Sequence, residues 1–154
     1  MRLLIFFCTT VVFILAFVSF VHSDDSKDDL KQMQGYWNVV ALEADGRKAP
    51  DDAVKGMHVR IKGTEFEGID PGEASGDKAT IKLDSSKSPK QIDLVALTGK
   101  DKGKTIEGIY KLEKDRLMIC MRGPEAAEKG RPKEFSSGDA GSGLGIMTLE
   151  RVKE

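Results

Sequence analysis

The sequence predicts an all-β domain, an eight-stranded, up-and-down antiparallel barrel preceded by a short N-terminal helical turn. Three observations carry this expectation. Behind an apolar N-terminal segment, short runs of β-type residues recur with turn residues between them. Several of these runs alternate between apolar and polar residues, as a sheet with one dry and one wet face requires. The connections also alternate between brief and long, which in a meander collects all the brief hairpins at one end and all the long loops at the other.

At the N-terminus, Arg2 precedes a long apolar run from Leu3 to Val21, and the chain turns acidic at Asp24 and Asp25. This is the pattern of a secretory signal peptide over residues 1–23, with Val21 and Ser23 at the small-residue positions before the cut. The rival reading is an uncleaved membrane anchor, since the run approaches the roughly 20 residues a spanning helix needs. Cys8 lacks the small residues that precede a lipoprotein cysteine. Either way the domain is expected outside the cytoplasm, periplasmic or extracellular.

Removal of residues 1–23 takes away only one charge, Arg2, and leaves 23 basic against 25 acidic groups, a net charge of −2. That balance gives nucleic acid no basic face to bind. Cys120 becomes the sole cysteine, so stability must come from packing and strand pairing instead of an internal disulfide. The remaining chain suits one domain: a lead-in with a short helix over 24–34, then a barrel over 35–154.

Residues 28–34 read as one or two helical turns. The strands follow at 36–43, 57–62, 65–69, 79–84, 91–95, 104–112, 116–122 and 145–152. In the second, Met57, Val59 and Ile61 share one face against His58, Arg60 and Lys62, and Ala79, Ile81 and Leu83 repeat the pattern in the fourth. The brief connections are 63–64, 85–90 and 113–115; the long ones are 44–56, 70–78, 96–103 and 123–144. Two stretches within the long loops, "PDDAVKG" and "PEAAEKG", read as single helical turns opened by proline and closed by glycine.

An eight-stranded barrel starts and ends its chain at the same rim, so the first and last strands lie side by side. Trp37, Val39 and Ala41 are expected on one face of the first strand, and Met147, Leu149 and Arg151 on one face of the last. Arg151 then lies near Trp37 at the short-hairpin end, where a guanidinium over the indole adds on the order of 1 kcal/mol. Gly35, without a Cβ, lets the preceding turn approach. Gly35, Trp37 and Arg151 thus form the expected closure, with the indole as the plug.

The Gly-x-Trp opening with a late arginine resembles the signature of the lipocalins and their calycin relatives. Nearly the whole exported part is also similar to a small uncharacterised domain of exported planctomycete proteins, through "LKQMQGYWNVVALEADG", "IKGTEF", "PKQIDL", "DKGKTIEGIYKLEKDRLMIC" and "RPKEFSS". The resemblance implies a small exported β domain of lipocalin-like character and no particular activity. The glycine-rich "GDAGSGLG" departs from the expected pattern.

The residues supply no catalytic constellation and call for no cofactor. Cys120 needs a neighbouring base to become a thiolate, yet the only histidine past the signal, His58, sits on a non-adjacent strand. "GKDKGKT" (99–105) has three residues between its glycines where a phosphate loop has four, and it runs into a strand. Asp70, Glu73 and Asp77 lie in an acidic loop without EF-hand spacing, and one cysteine with one histidine makes no usual zinc site.

The expected function is therefore binding of a small apolar or amphipathic molecule at the long-loop end, with Arg122, Arg131, Glu134, Phe135 and Tyr110 as the candidate ligand-binding residues. In this reading Arg131 and Glu134 face the ligand while Phe135 covers the mouth. The plainer reading has Phe135 sealing the core and Arg131 pairing with Glu134 or capping loop carbonyls. The alternative function is an envelope protein-interaction module with a filled interior. Ala41, Gly108 and Gly145 leave room inside, whereas Met57, Phe66, Tyr110 and Met147 fill it.

Overall fold

The structure, a computed structural model, describes residues 25–153. The expected signal peptide over 1–23 lies outside the described residues. In chain order the elements are α1 (Asp25–Met33), β1 (Gly35–Ala44), β2 (Arg47–Lys48), α2 (Asp51–Val54), β3 (His58–Lys62), β4 (Glu65–Ile69), β5 (Asp77–Asp84), β6 (Lys90–Ala96), β7 (Thr105–Glu113), β8 (Arg116–Arg122), a 3₁₀ stretch (Pro124–Lys129) and β9 (Leu144–Arg151).

Every strand pairs antiparallel with its successor from β3 to β9, and β1 pairs with both β3 and β9, closing a barrel of eight long strands. The extra strand β2 is a two-residue hairpin folded onto the far end of β1. The expected eight-stranded up-and-down barrel is what the chain forms. Both "PDDAVKG" and "PEAAEKG" contain the short helical turns their proline and glycine signals promise.

β1 serves two neighbours by dividing its length: residues 35–38 pair with β3, and residues from Trp37 to Ala44 pair with β9. Its register against β9 slips between Val39 and Ala41, so Val40 is the additional residue of a bulge. The slip corrects one expectation. Ala41 pairs with Thr148 on the outer face, and Leu42, paired with Met147, takes the inward place. Periodicity alone cannot see a bulge, because one inserted residue inverts every face beyond it.

The floor is built where the short hairpins gather. The indole of Trp37 is fully buried, and the Arg151 guanidinium carbon lies 4.2 Å from its ring centroid. Trp37 and Arg151 are direct cross-strand partners. The indole Nε1–H donates to the carbonyl of Met33 at 2.8 Å. Arg151 Nη1 donates to the carbonyl of Gln34 at 2.8 Å, and its Nη2 donates to the carbonyl of Gln32. A cation placed on the last carbonyls of α1 satisfies acceptors that have no partner within the helix.

Gly35 earns its place through backbone angle rather than close approach. Its φ is +115°, while a Cβ there would meet only Arg151 Nη1 at an ordinary 3.5 Å.

The plug is α1 as much as the tryptophan. Met33 is fully buried on the core, and the helix is tied to two of the hairpin turns. Ser26 Oγ accepts from the Ser85 backbone N–H at 3.0 Å, and the Gln34 amide exchanges two hydrogen bonds with Gly63 at 2.6 and 3.0 Å. Asp29, itself buried, accepts from the Tyr110 hydroxyl at 2.6 Å and from Lys90 Nζ at 2.7 Å. Burial and the hydrogen bond to Asp29 push the Tyr110 phenol far above its usual range, so it stays a donor.

Because Arg151 both stacks on the indole and caps α1, Arg151→Ala is expected to lower stability by about 1–3 kcal/mol. Arg151→Lys recovers less than half of that, since an ammonium lacks the planar fork. Urea melts followed by Trp37 fluorescence test this, and a loss below about 0.5 kcal/mol contradicts it.

Candidate functional site

The lower half of the lumen is solid. Val59, Ile61, Ile81, Ile92, Ile119 and Leu149 are all buried there on the floor residues. Towards the long-loop rim the inward side chains change character: Leu42, Met57, Ile106, Met121 and Met147 pack on the core but remain partly exposed. Three clefts open among them.

The first, of about 480 Å³, lies between Val39, Leu42, Met57, Val59 and Met147 and the loop from Asp70 to Asp77. The second, about 430 Å³, is bounded by Leu42, Ile106, Met121, Leu144, Gly145 and Met147. The third, about 250 Å³, runs past Phe66, Ala79, Leu94, Ala96, Ile106 and Met121. Adjacent clefts share walls: Leu42 and Met147 divide the first from the second, and Ile106 and Met121 the second from the third. They ring one mouth, apolar within and polar where the first and third clefts meet the loops.

The bulge at Val40 builds part of this wall, since it turns Leu42 inward beside Met147. Gly145 leaves little room, as a Cβ there would sit 3.3 Å from the Glu43 carbonyl oxygen, a tight contact with backbone. Gly108 leaves none: a Cβ would fall 2.7 Å from the Cys120 carbonyl oxygen and 2.9 Å from Met121 Cγ. The space expected over Gly108 is already filled by its neighbours.

Of the five residues expected at the ligand, the structure brings none into these clefts. The Tyr110 hydroxyl is at the floor, bound to Asp29. Arg122 ends β8, and the other three belong to the connection between β8 and β9, which does not lie across the mouth but folds back along the outer wall as a strap. Arg122 Nε donates to the Gly130 carbonyl at 2.6 Å and its Nη1 to the Ser142 carbonyl at 2.5 Å, pinning the strap at two points. Arg131 Nη1 donates to the carbonyls of Ile92 and Gly108 at 3.1 and 2.7 Å. Its Nη2 lies 2.7 Å from Asp93 Oδ1 and 3.3 Å from Glu107 Oε1. Arg131 is thus an anchor on β6 and β7, and its partners are those carboxylates rather than Glu134.

Glu134 is exposed and Phe135 half-buried, and the backbone around them covers Cys120. The thiol faces the carbonyls of Glu134 at 3.6 Å and Ser136 at 3.4 Å. Cys120 and its cross-strand partner Ile109 are buried apart from the main core, as a small second apolar layer beneath the strap. Burial pushes the Cys120 thiol up, which opposes thiolate formation. His58, on β3, is bound to Asn38 at 2.9 Å, so the two groups share no site.

The turn after β1 is clasped to the strap. Asp45 accepts from the Gly143 N–H at 2.8 Å and the Ser142 hydroxyl at 3.0 Å, and these bonds hold its carboxyl below the usual range. The Gly46 N–H donates to the Ser137 carbonyl at 3.1 Å. Among the described residues no group of three or more histidine, cysteine or carboxylate side chains converges closely enough to hold a metal ion. No protein-family model, no curated protein and no solved structure matches the chain.

Sequence reasoning missed Leu42, Ile106 and Met121 as mouth residues. The last two stand at inward positions of β7 and β8 and were open to a count by twos; Leu42 was not, because of the bulge.

Two outcomes follow from the strap. Arg131→Ala is expected to raise Cys120 labelling by dithiodipyridine at pH 8 about tenfold or more, the factor matching about 1.4 kcal/mol of lost local protection. Far-UV circular dichroism should stay unchanged, and an unaltered labelling rate refutes the anchor. Asp45, whose folded carboxyl titrates below its unfolded value near 3.9, contributes stability that is complete above that pH and disappears as pH falls through the folded value. The melting-temperature gap between the native protein and Asp45→Asn should therefore shrink as pH drops from 7 to 2.5. A gap constant across that range rules the clasp out.

Proposed function

We propose that the protein is an exported, lipocalin-like binding domain that holds a small apolar or amphipathic molecule in the mouth at the long-loop end. In this reading residues 1–23 direct export and are removed, and the barrel works in the periplasm or extracellular space. One observation carries the reading. An apolar lumen is sealed at one end by α1, Trp37 and Arg151, yet at the other end Leu42, Ile106, Met121 and Met147 are left incompletely covered.

Leaving such side chains exposed forgoes roughly 25 cal/mol for every square ångström that burial would remove from water. A ligand supplies that burial. The cleft volumes of about 480 and 430 Å³ fall within the range of small-molecule sites, roughly 300–1,000 Å³. The ligand contacts in this proposal come from the mouth side chains, and Arg122 and Arg131 support the wall instead of touching the guest.

The neutral fluorophore N-phenyl-1-naphthylamine tests it. The native protein is expected to enhance and blue-shift its emission, and Met147→Lys, which sets an ammonium in the apolar wall, should weaken binding by more than about tenfold while leaving the fold intact by circular dichroism. No enhancement by the native protein, together with self-association in sedimentation, would point instead to the envelope-interaction module.

A further inference from the structure

The rim above the first cleft is electrically one-sided. Asp70, Glu73 and Asp77 line it beside His58, over walls formed by Val39, Leu42, Val59 and Met147. Among the described residues none of these three carboxylates has a lysine or arginine within ion-pair distance. The one polar side-chain partner is Thr98, whose hydroxyl donates to Asp77 at 3.1 Å.

The lysines that line the third cleft, Lys78 and Lys100, each face a carboxylate. Lys78 binds Glu65 at 2.9 Å, Lys104 binds Asp101 at 2.9 Å, and Lys100 lies 3.9 Å from Glu125. The second cleft adds Glu43, Asp45 and Glu125 to its boundary and no basic residue. Among the described residues neither the first nor the second cleft is lined by a lysine or arginine, so the potential over them is negative, above low-dielectric walls that focus it.

Resting on the mouth reading, we propose that the molecule this barrel accepts is a cationic amphiphile: an apolar body that enters the lumen and an organic ammonium or amidinium head that stays at the rim beside Asp70, Glu73 and Asp77. A metal ion does not fit the same carboxylates, because it needs six or more oxygens drawn close around one point and these side chains do not converge. An organic cation has no such requirement. Its charge is attracted by several carboxylates at once across a few ångströms, and its head keeps part of its water. An anionic amphiphile, such as a fatty acid, would bring its carboxylate into the same field and be repelled. Burial of the tail is common to both, so the charge of the head decides between them.

The experiment is displacement of N-phenyl-1-naphthylamine by decyltrimethylammonium, decanol and decanoate, each below its micelle concentration, at pH 7.5 and low salt, with direct calorimetry of all three. The cation is expected to compete at a concentration at least about tenfold below that of decanoate, with decanol between them. The gap should close towards unity at 0.5 M sodium chloride, where the screening length is only about 4 Å. The combined variant Asp70→Asn, Glu73→Gln, Asp77→Asn should remove the gap and keep the affinity for decanol.

Decanoate binding as tightly as the cation, or a gap that survives 0.5 M salt in the native protein, overturns the charge preference and leaves the mouth standing. Absence of binding by all three removes the mouth and this inference together. The salt series needs no variant, so it decides the matter even if the triple substitution fails to fold.

Discussion

Closure of β9 onto β1 is the constraint on which the other features rest. Pairing Trp37 with Arg151 in register brings the indole, the guanidinium and the C-terminal carbonyls of α1 to one point. Hydrophobic burial, a cation over a π face and helix capping there act on the same few side chains, so none is satisfied unless the others are. The helix can seal the floor only because the last strand delivers an arginine to it. The last strand is held in turn because the helix gives that arginine acceptors.

A sealed floor makes the two rims unequal. The polar ties of α1 go to the short hairpins, to Trp37 and Arg151 and to the core hydroxyl of Tyr110, so the packed half of the lumen is anchored from below. The long connections are left free to shape the opposite rim. The longest is diverted outward: Arg122 and Arg131 fasten it to the wall, and Cys120 and Ile109 lie buried beneath it. Arginines that look available for an anionic guest are consumed by backbone carbonyls and carboxylates, and the rim over the first two clefts is left acidic. That redistribution of charge turns an apolar mouth of general type into one with a preferred sign of guest.

The apolar-polar alternation of β3 and β5, the spacing of brief and long connections, and the Trp37–Arg151 meeting were legible from residues because each depends on local period or on chain parity. Local turn chemistry likewise placed the two short helical stretches after Pro50 and at Pro124. The single tryptophan, buried at the start of β1, needs only its neighbours in the chain to be read as part of the closed end.

The rest was decided in three dimensions. An inserted residue at Val40 exchanges Ala41 for Leu42 on the inner face, and no periodicity records it, because a bulge is favoured by barrel curvature and not by local sequence. The course of the β8–β9 strap depends on carbonyls of β6 and β7 that lie far away in the chain, so the residues of "RPKEFSS" left a mouth and a plain sealing or capping role both open, and Arg131 is found fastened to those strands. Tyr110 alternates correctly into the lumen, but which end of the lumen it faces depends on Asp29, contributed by the helix that seals the floor and lies far away in the chain. Local physics determined which residues face inward; long-range hydrogen bonds and charge pairing decided which of them remain free to meet anything else.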